Sequence, residues 1–247
     1  MKKPIWLSVT AFAFFLVGAI SAADESVFAK ANQAYSEARF QEAAEGYESR
    51  VQSGQWNANL FYDLGNAYYR LGNFGKAILN YERALALDPR HPEADANLRL
   101  ARDEARALEL RKDWIERYAG MATVKQYSIA AAIAFWSAAF IITHLVLSRR
   151  RSAGRIALIV LSVLVGGVSV FAIFTLENGT HGNALAVVTA KEIEARLATA
   201  DNAKSILLLP AGSEITVLSE RGDWIYAALP NDQRGWIPAA SAERVRL

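Results

Sequence analysis

At 247 residues the chain has room for one large domain or for two to three small ones, and its 53% hydrophobic share is more apolar than a typical soluble domain. A formal net charge of +2, without a lysine-rich and aromatic stretch, excludes nucleic acid as an expected partner. The absence of cysteine removes disulfides, thiolate metal sites and thiol nucleophiles.

The N-terminus carries Lys2 and Lys3, an apolar run from Ile5 to Ile20, and Ser21-Ala22-Ala23 before the acidic pair Asp24-Glu25. That order is the one expected of a secretory signal peptide over residues 1–23. An uncleaved anchor helix is the alternative, and either reading leaves residue 24 onward exported.

Between Ala58 and Pro89 small residues (Gly65, Ala77, Ala84) stand where two helices would touch. Phe61, Leu64, Tyr68, Phe74 and Tyr81 fill the space between them, Leu71-Gly72-Asn73 supplies a turn, and Pro89 stops the second helix. The stretch resembles a tetratricopeptide repeat. A weaker copy precedes it, with Phe28, Ala31, Tyr35, Phe40, Ala43 and Tyr47 in comparable positions, a turn that reads one residue shorter, and no terminating proline. After Pro92 a charged helical pattern continues to about Tyr118, with Asp95/Arg99 and Asp113/Arg117 four apart, as in a capping helix. The module spans 24–118. The resemblance implies a groove built from the first helix of each pair, presenting Asn59, Tyr62, Asp63, Asn66, Tyr69 and Arg70, with Lys30 and Gln33 from the first repeat.

Two apolar stretches follow, 127–147 and 156–176, each long enough to span a bilayer and free of Asp, Glu, Lys and Arg. The loop between them, 148–155, is dense in arginine and is expected in the cytoplasm. Arg111, Lys112, Arg117 and Lys125, before the first span, weaken this charge asymmetry without reversing it. Ala130, Ala134 and Ala138 in the first span, and Ser162 and Gly166 in the second, predict close packing of the two helices. His144 reads as an interfacial polar residue near the inner end of its span. The expected topology is a two-pass anchor in the bacterial inner membrane after signal cleavage, with both folded ends periplasmic.

Residues 177–183 read as a flexible linker, with a glycosylation-type triplet at Asn178-Gly179-Thr180. Short β-type runs follow at 186–188, 206–209, 214–218, 224–228 and 235–238. Their order, with Gly222-Asp223-Trp224-Ile225-Tyr226 and Gly235-Trp236, resembles a bacterial SH3-like domain over 184–247. That resemblance implies a small all-β barrel in which Tyr226 and Trp236 bind a peptide or cell-wall ligand such as peptidoglycan, while Trp224 fills the core.

No nucleotide-binding loop, His-Glu-x-x-His or Gly-x-Ser-x-Gly motif occurs, and His91, His144 and His181 are scattered. Neither a catalytic site, a cofactor nor a metal is expected. The fold class is multidomain: an all-α TPR helical repeat, a two-helix transmembrane hairpin and a small all-β SH3-like barrel. The whole order resembles the tetratricopeptide component of bacterial aerotolerance (Bat) operons. The resemblance implies membrane proteins with von Willebrand factor type A domains as partners and, indirectly, a MoxR-type AAA ATPase. The function expected is a membrane-anchored exported scaffold, with a cell-envelope sensor and, more remotely, a divergent envelope enzyme as alternatives.

Overall fold

The structure, a computed structural model, describes residues 27–148 and 152–246. The signal-peptide segment and Arg149, Arg150 and Arg151 lie outside these. Helix α1 covers 27–36 of the described chain. It is followed by α2 (Phe40–Gln52), α3 (Ala58–Arg70), α4 (Phe74–Leu87) and α5 (Pro92–Ala105). Capping side chains fix where the later helices start. Asn57 accepts from Leu60 N at 2.9 Å, Asn73 from Lys76 N at 3.3 Å, and His91 Nδ1 from Ala94 N at 3.3 Å ahead of Pro92.

The first helix pair corresponds to the second at an interval of 34 residues, and the turn between its helices is not shorter, contrary to expectation. Arg39 N donates to Ala34 O (2.8 Å) just as Asn73 N donates to Tyr68 O (2.9 Å). Tyr35 packs edge-on against Phe40 as Tyr69 does against Phe74. Where Gly72 takes a left-handed φ of 72°, the first turn holds Ala38 at 59°. Lacking the glycine that marks such a turn, the first copy reads as out of register.

The charged pattern after Pro92 does not form one helix. The chain leaves α5 through a left-handed Arg106 (φ 51°) and resumes in a short α6 (Trp114–Ala119). The intervening residues bond to the β domain: Leu108 N donates to Ser213 Oγ (3.2 Å), Glu214 N to Leu108 O (2.9 Å), and Leu110 N to Glu214 Oε2 (2.9 Å). Backbone groups that a helix would satisfy internally are satisfied here by the sheet. Asp95 and Arg99 do pair (2.6 Å), but Asp113 instead caps α6 at Trp114 N (2.7 Å).

Helices α7 (Val124–Ser148) and α8 (Ala153–Asn178) pack against each other and contain the two apolar stretches. Both are long and apolar enough to cross a membrane. Only 6% and 11% of their most apolar windows are buried, unlike a core helix of a soluble protein. Of the small residues expected at the seam, Ala134 and Gly166 face each other; Ser169 and Ala172, not among those expected, are also buried on α8.

The C-terminal domain is an antiparallel seven-stranded sheet: β1 (Leu185–Val188), β2 (Glu192–Arg196), β3 (Ser205–Pro210), β4 (Glu214–Arg221), β5 (Trp224–Ala228), β6 (Arg234–Pro238) and β7 (Ala242–Arg244), in the order β3-β2-β6-β5-β4-β1-β7. The five expected strands are present, and β2 and β7 are additional. Strand β1 is buried at all four positions because its two faces enter two different cores. Ala186 and Val188 join Ile215, Ile237 and Leu209 inside the β domain. Leu185 and Val187 join Ile78, Leu79 and Leu110 in the core of the repeat. The core of the helical repeat therefore includes side chains of the sheet, with β1 forming the wall between it and the interior of the β domain.

Candidate protein-interaction surface

Two faces of the second repeat have different chemistry. On one side α4 turns Gly75, Ile78, Glu82 and Arg83 toward the β domain. A methyl group at Gly75 would stand 2.9 Å from Val188 O and 3.0 Å from Thr189 O, so only glycine lets helix and strand approach this closely. Arg83 Nη2 donates to Arg244 O (3.0 Å) and pairs with Glu243 (3.3 Å). Beside it lies an ionic cluster. Glu214, fully buried at the start of β4, meets the Arg102 guanidinium of α5 and His181 Nε2 (3.2 Å), while Arg102 also pairs with Glu82 (2.5 Å) and Glu109 (3.2 Å).

Burial raises the Glu214 carboxyl, but the His181 hydrogen bond and the Arg102 charge outweigh it and hold the group below its ordinary range. Glu82 moves the other way: burial dominates and Arg102, shared among three carboxylates, does not compensate. His181 thus converges with a carboxylate rather than standing isolated. Nor is 177–183 a free linker, because Thr180 N and Oγ1 donate to Glu116 (2.6 and 2.5 Å) and fix the exit of α8 to α6.

The opposite face, formed by α1, α3 and α5, holds the predicted groove residues. Tyr62 and Asn66 are half-buried at its centre, where Tyr62 stacks on His91 with ring centroids 4.9 Å apart. Asn66 Oδ1 accepts from Tyr81 (2.8 Å) and from Asn97 (2.8 Å), while its Nδ2 makes no hydrogen bond among the described residues. Asp63 is raised from 3.8 to about 6 by burial, against a smaller opposing pull from His91. Tyr69 is occupied by Phe74, and the Arg70 guanidinium lies over the Phe40 ring at 4.3 Å, tying the two repeats together. Asn59, Lys30 and Gln33 are exposed. Gln33 bonds to Glu37 in the turn after its helix (2.8 Å), and among the described residues no hydrogen bond joins Lys30 or Gln33 to α3.

The structure therefore brings Tyr62, Asp63 and Asn66 together with two residues the sequence reading missed, His91 and Asn97. The 34-residue interval marks both: His91 caps α5 where Asn57 caps α3, and Asn97 corresponds to Asp63. The same interval relates the Tyr47–Asn32 bond (2.8 Å) to Tyr81–Asn66.

On the sheet, Tyr226 and Trp236 are cross-strand partners with rings 4.9 Å apart, both half-buried on the outer face. Trp224 does not fill the core. The two-residue period of β5 turns Ile225 and Ala227 inward and sets Trp224 beside Tyr226 on that outer face, opposite Pro238 of β6. Ile215, Ile237, Leu209 and Leu229 fill the interior in its place.

Repeats of helix pairs offer the face of their first helices to protein partners. The sequence from 58 to 91, comprising α3, its turn, α4 and the connection into α5, matches the tetratricopeptide repeat family.

Proposed function

We propose that this chain is a membrane-anchored scaffold that binds a protein partner through the α1/α3/α5 groove and a peptide or cell-wall ligand through the Trp224, Tyr226 and Trp236 face of an SH3-like barrel. The hairpin α7/α8 crosses the bacterial inner membrane with its arginine loop in the cytoplasm, and both folded domains stand in the periplasm after signal cleavage. We infer no enzymatic role. The module boundaries given from the sequence, the Bat-operon resemblance and its implied partners, von Willebrand factor type A domain proteins with a MoxR-type ATPase beyond them, belong to this reading.

One observation carries it. The repeat and the sheet share a core through α4 and β1, while the chain enters α7 from α6 and passes from α8 into the sheet. Two modules bonded to one another occupy one compartment, which needs an even number of crossings between them. Among the described residues no groove residue bonds to the β domain, so the partner face is left open. Rigid Tyr62 and His91 rings beside the Asn66 donor suit an extended peptide backbone.

In-cell crosslinking of the full chain is expected to recover a membrane or periplasmic partner, and the exposed pair Lys30→Glu with Asn59→Arg to abolish recovery. Undiminished recovery by that pair removes the groove assignment. A reporter fused after residue 247 that is active only in the cytosol removes the topology. A second reading, an envelope sensor, is favoured by the Glu116–Thr180 and His181–Glu214 bonds, which connect the exit of α8 to α6 and to strand β4 of the sheet. It requires that ligand on the sheet alter protection of the arginine loop in intact vesicles.

A further inference from the structure

Four cations, Arg111, Lys112, Arg117 and Lys125, precede the first apolar stretch (127–147) on the side opposite the arginine loop, where they oppose the charge rule for membrane orientation. The structure gives two of them a setting. Short α6 packs on α8 with Ala119 buried and turns Trp114 and Tyr118 to solvent with 65% and 64% exposure, and Met121 in the turn that follows is 77% exposed. Trp114 and Tyr118 form an edge-on pair 6.3 Å apart. Only residues 120–123 separate α6 from α7, a reach of about 13 Å at most. If α7 enters a bilayer, α6 therefore lies at head-group depth, where tryptophan and tyrosine are enriched.

Beneath it, a cleft of about 240 Å³ opens between α6 and the end of α8, lined by Lys112, Glu116, Arg117, Thr175, Gly179 and His181 among others. The Glu116 carboxylate is taken up by Thr180, and His181 by Glu214 and Thr180. Among the described residues, Lys112 and Arg117 have no carboxylate within 4.0 Å. Two cations without an ion-pair partner in that range, Lys112 within electrostatic reach of Glu82, thus flank a polar cleft beside the start of α7.

We propose that this cleft holds the phosphodiester of an anionic phospholipid, with Arg117 and Lys112 as its cationic partners and Trp114 and Tyr118 in the interface around it. This rests on the reading that α7 and α8 cross the bilayer. It gives the misplaced positive charges a function: they seat the folded body on the lipid surface.

The test reconstitutes the full chain into nanodiscs of phosphatidylcholine alone or mixed with phosphatidylglycerol, returns it to detergent, and reads retained lipid by native mass spectrometry. Phosphatidylglycerol should be retained over phosphatidylcholine. Retention should fall by about tenfold in Lys112→Gln/Arg117→Gln, and remain unchanged in Arg221→Gln/Arg234→Gln at exposed positions of the sheet. Equal retention of both lipids by the unmodified chain overturns the proposal even if the double variant fails to incorporate. Inorganic phosphate that displaces phosphatidylglycerol completely overturns the lipid assignment. A chain that incorporates but retains neither lipid overturns the cleft alone. One that never incorporates overturns the hairpin reading with it.

Discussion

The two faces of the α3/α4 pair differ in what their polar groups do. Toward the sheet, charges are buried and committed: Glu214 and Glu82 both pair with Arg102, and Gly75 has no side chain because a backbone carbonyl occupies the space. On the groove side, Tyr62, Asp63 and Asn66 are half-buried and keep unsatisfied capacity. One repeat thus serves as a joint on one side and leaves polar groups uncommitted on the other, so substitutions on the two faces should fail in different ways.

The sharpest break is Glu214→Gln. Removing one partner of a buried ion pair is expected to lower the stability of the full chain in detergent by about 3–5 kcal/mol, read from thermal unfolding. Because the folded-state carboxyl titrates below its ordinary 4.5, its contribution is present above that value and is lost as pH falls through the lower folded-state one. The gap between the native chain and the variant should therefore shrink on acidification. Next is Gly75→Ala. Alanine favours a helix by about 1 kcal/mol. Collision with Val188 and Thr189 carbonyls should nonetheless leave a net loss of about 1–3 kcal/mol, measured in the same melt.

Groove substitutions should leave folding intact or improve it. Asp63, raised to about 6, favours the fold when protonated and penalises it increasingly as pH rises through that value. Asp63→Asn is thus expected to stabilise the chain by about 1 kcal/mol at pH 8, after allowance for partial solvent screening, and by nothing at low pH. A variant that is destabilised at pH 8 would show the carboxylate to have a cationic partner. The smallest effect concerns the first turn: Ala38→Gly relieves a left-handed alanine and should add about 0.5 kcal/mol.

Much of this architecture was legible from pattern. The helix pair of 58–91, the two apolar helices and five of the seven strands follow from spacing that does not depend on distant contacts. Strand β2 was missed although Ile193 and Ala195 alternate with Glu192, Glu194 and Arg196, and β7 because three residues after a turn carry no period. The joint was not legible. Leu185-Ala186-Val187-Val188 is a continuous apolar run, which announces burial on both faces, but nothing local says that the second face meets a helix more than a hundred residues earlier. Glu214 carries no local mark of its burial either, because its partners Arg102 and His181 are remote in sequence. In the groove, Tyr62 and Asn66 were found because the repeat pattern fixes their positions. Asn97 was missed because the capping helix was read for its charges rather than for its 34-residue correspondence.

The double-sided burial of β1 has a consequence for how the protein is made. The helices of the repeat leave the ribosome first, yet part of their interior is supplied by Leu185, Val187 and Val245. At about 5–20 residues per second, those side chains follow the end of α5 by on the order of ten seconds. During that interval Ile78, Leu79 and Leu110 are without their cover, and the nascent helices are at their most vulnerable to proteases and to mispairing. The final strands therefore act as a latch on a domain synthesised long before them, and truncation within the last few residues should reach back to unfold the helices at the other end of the chain.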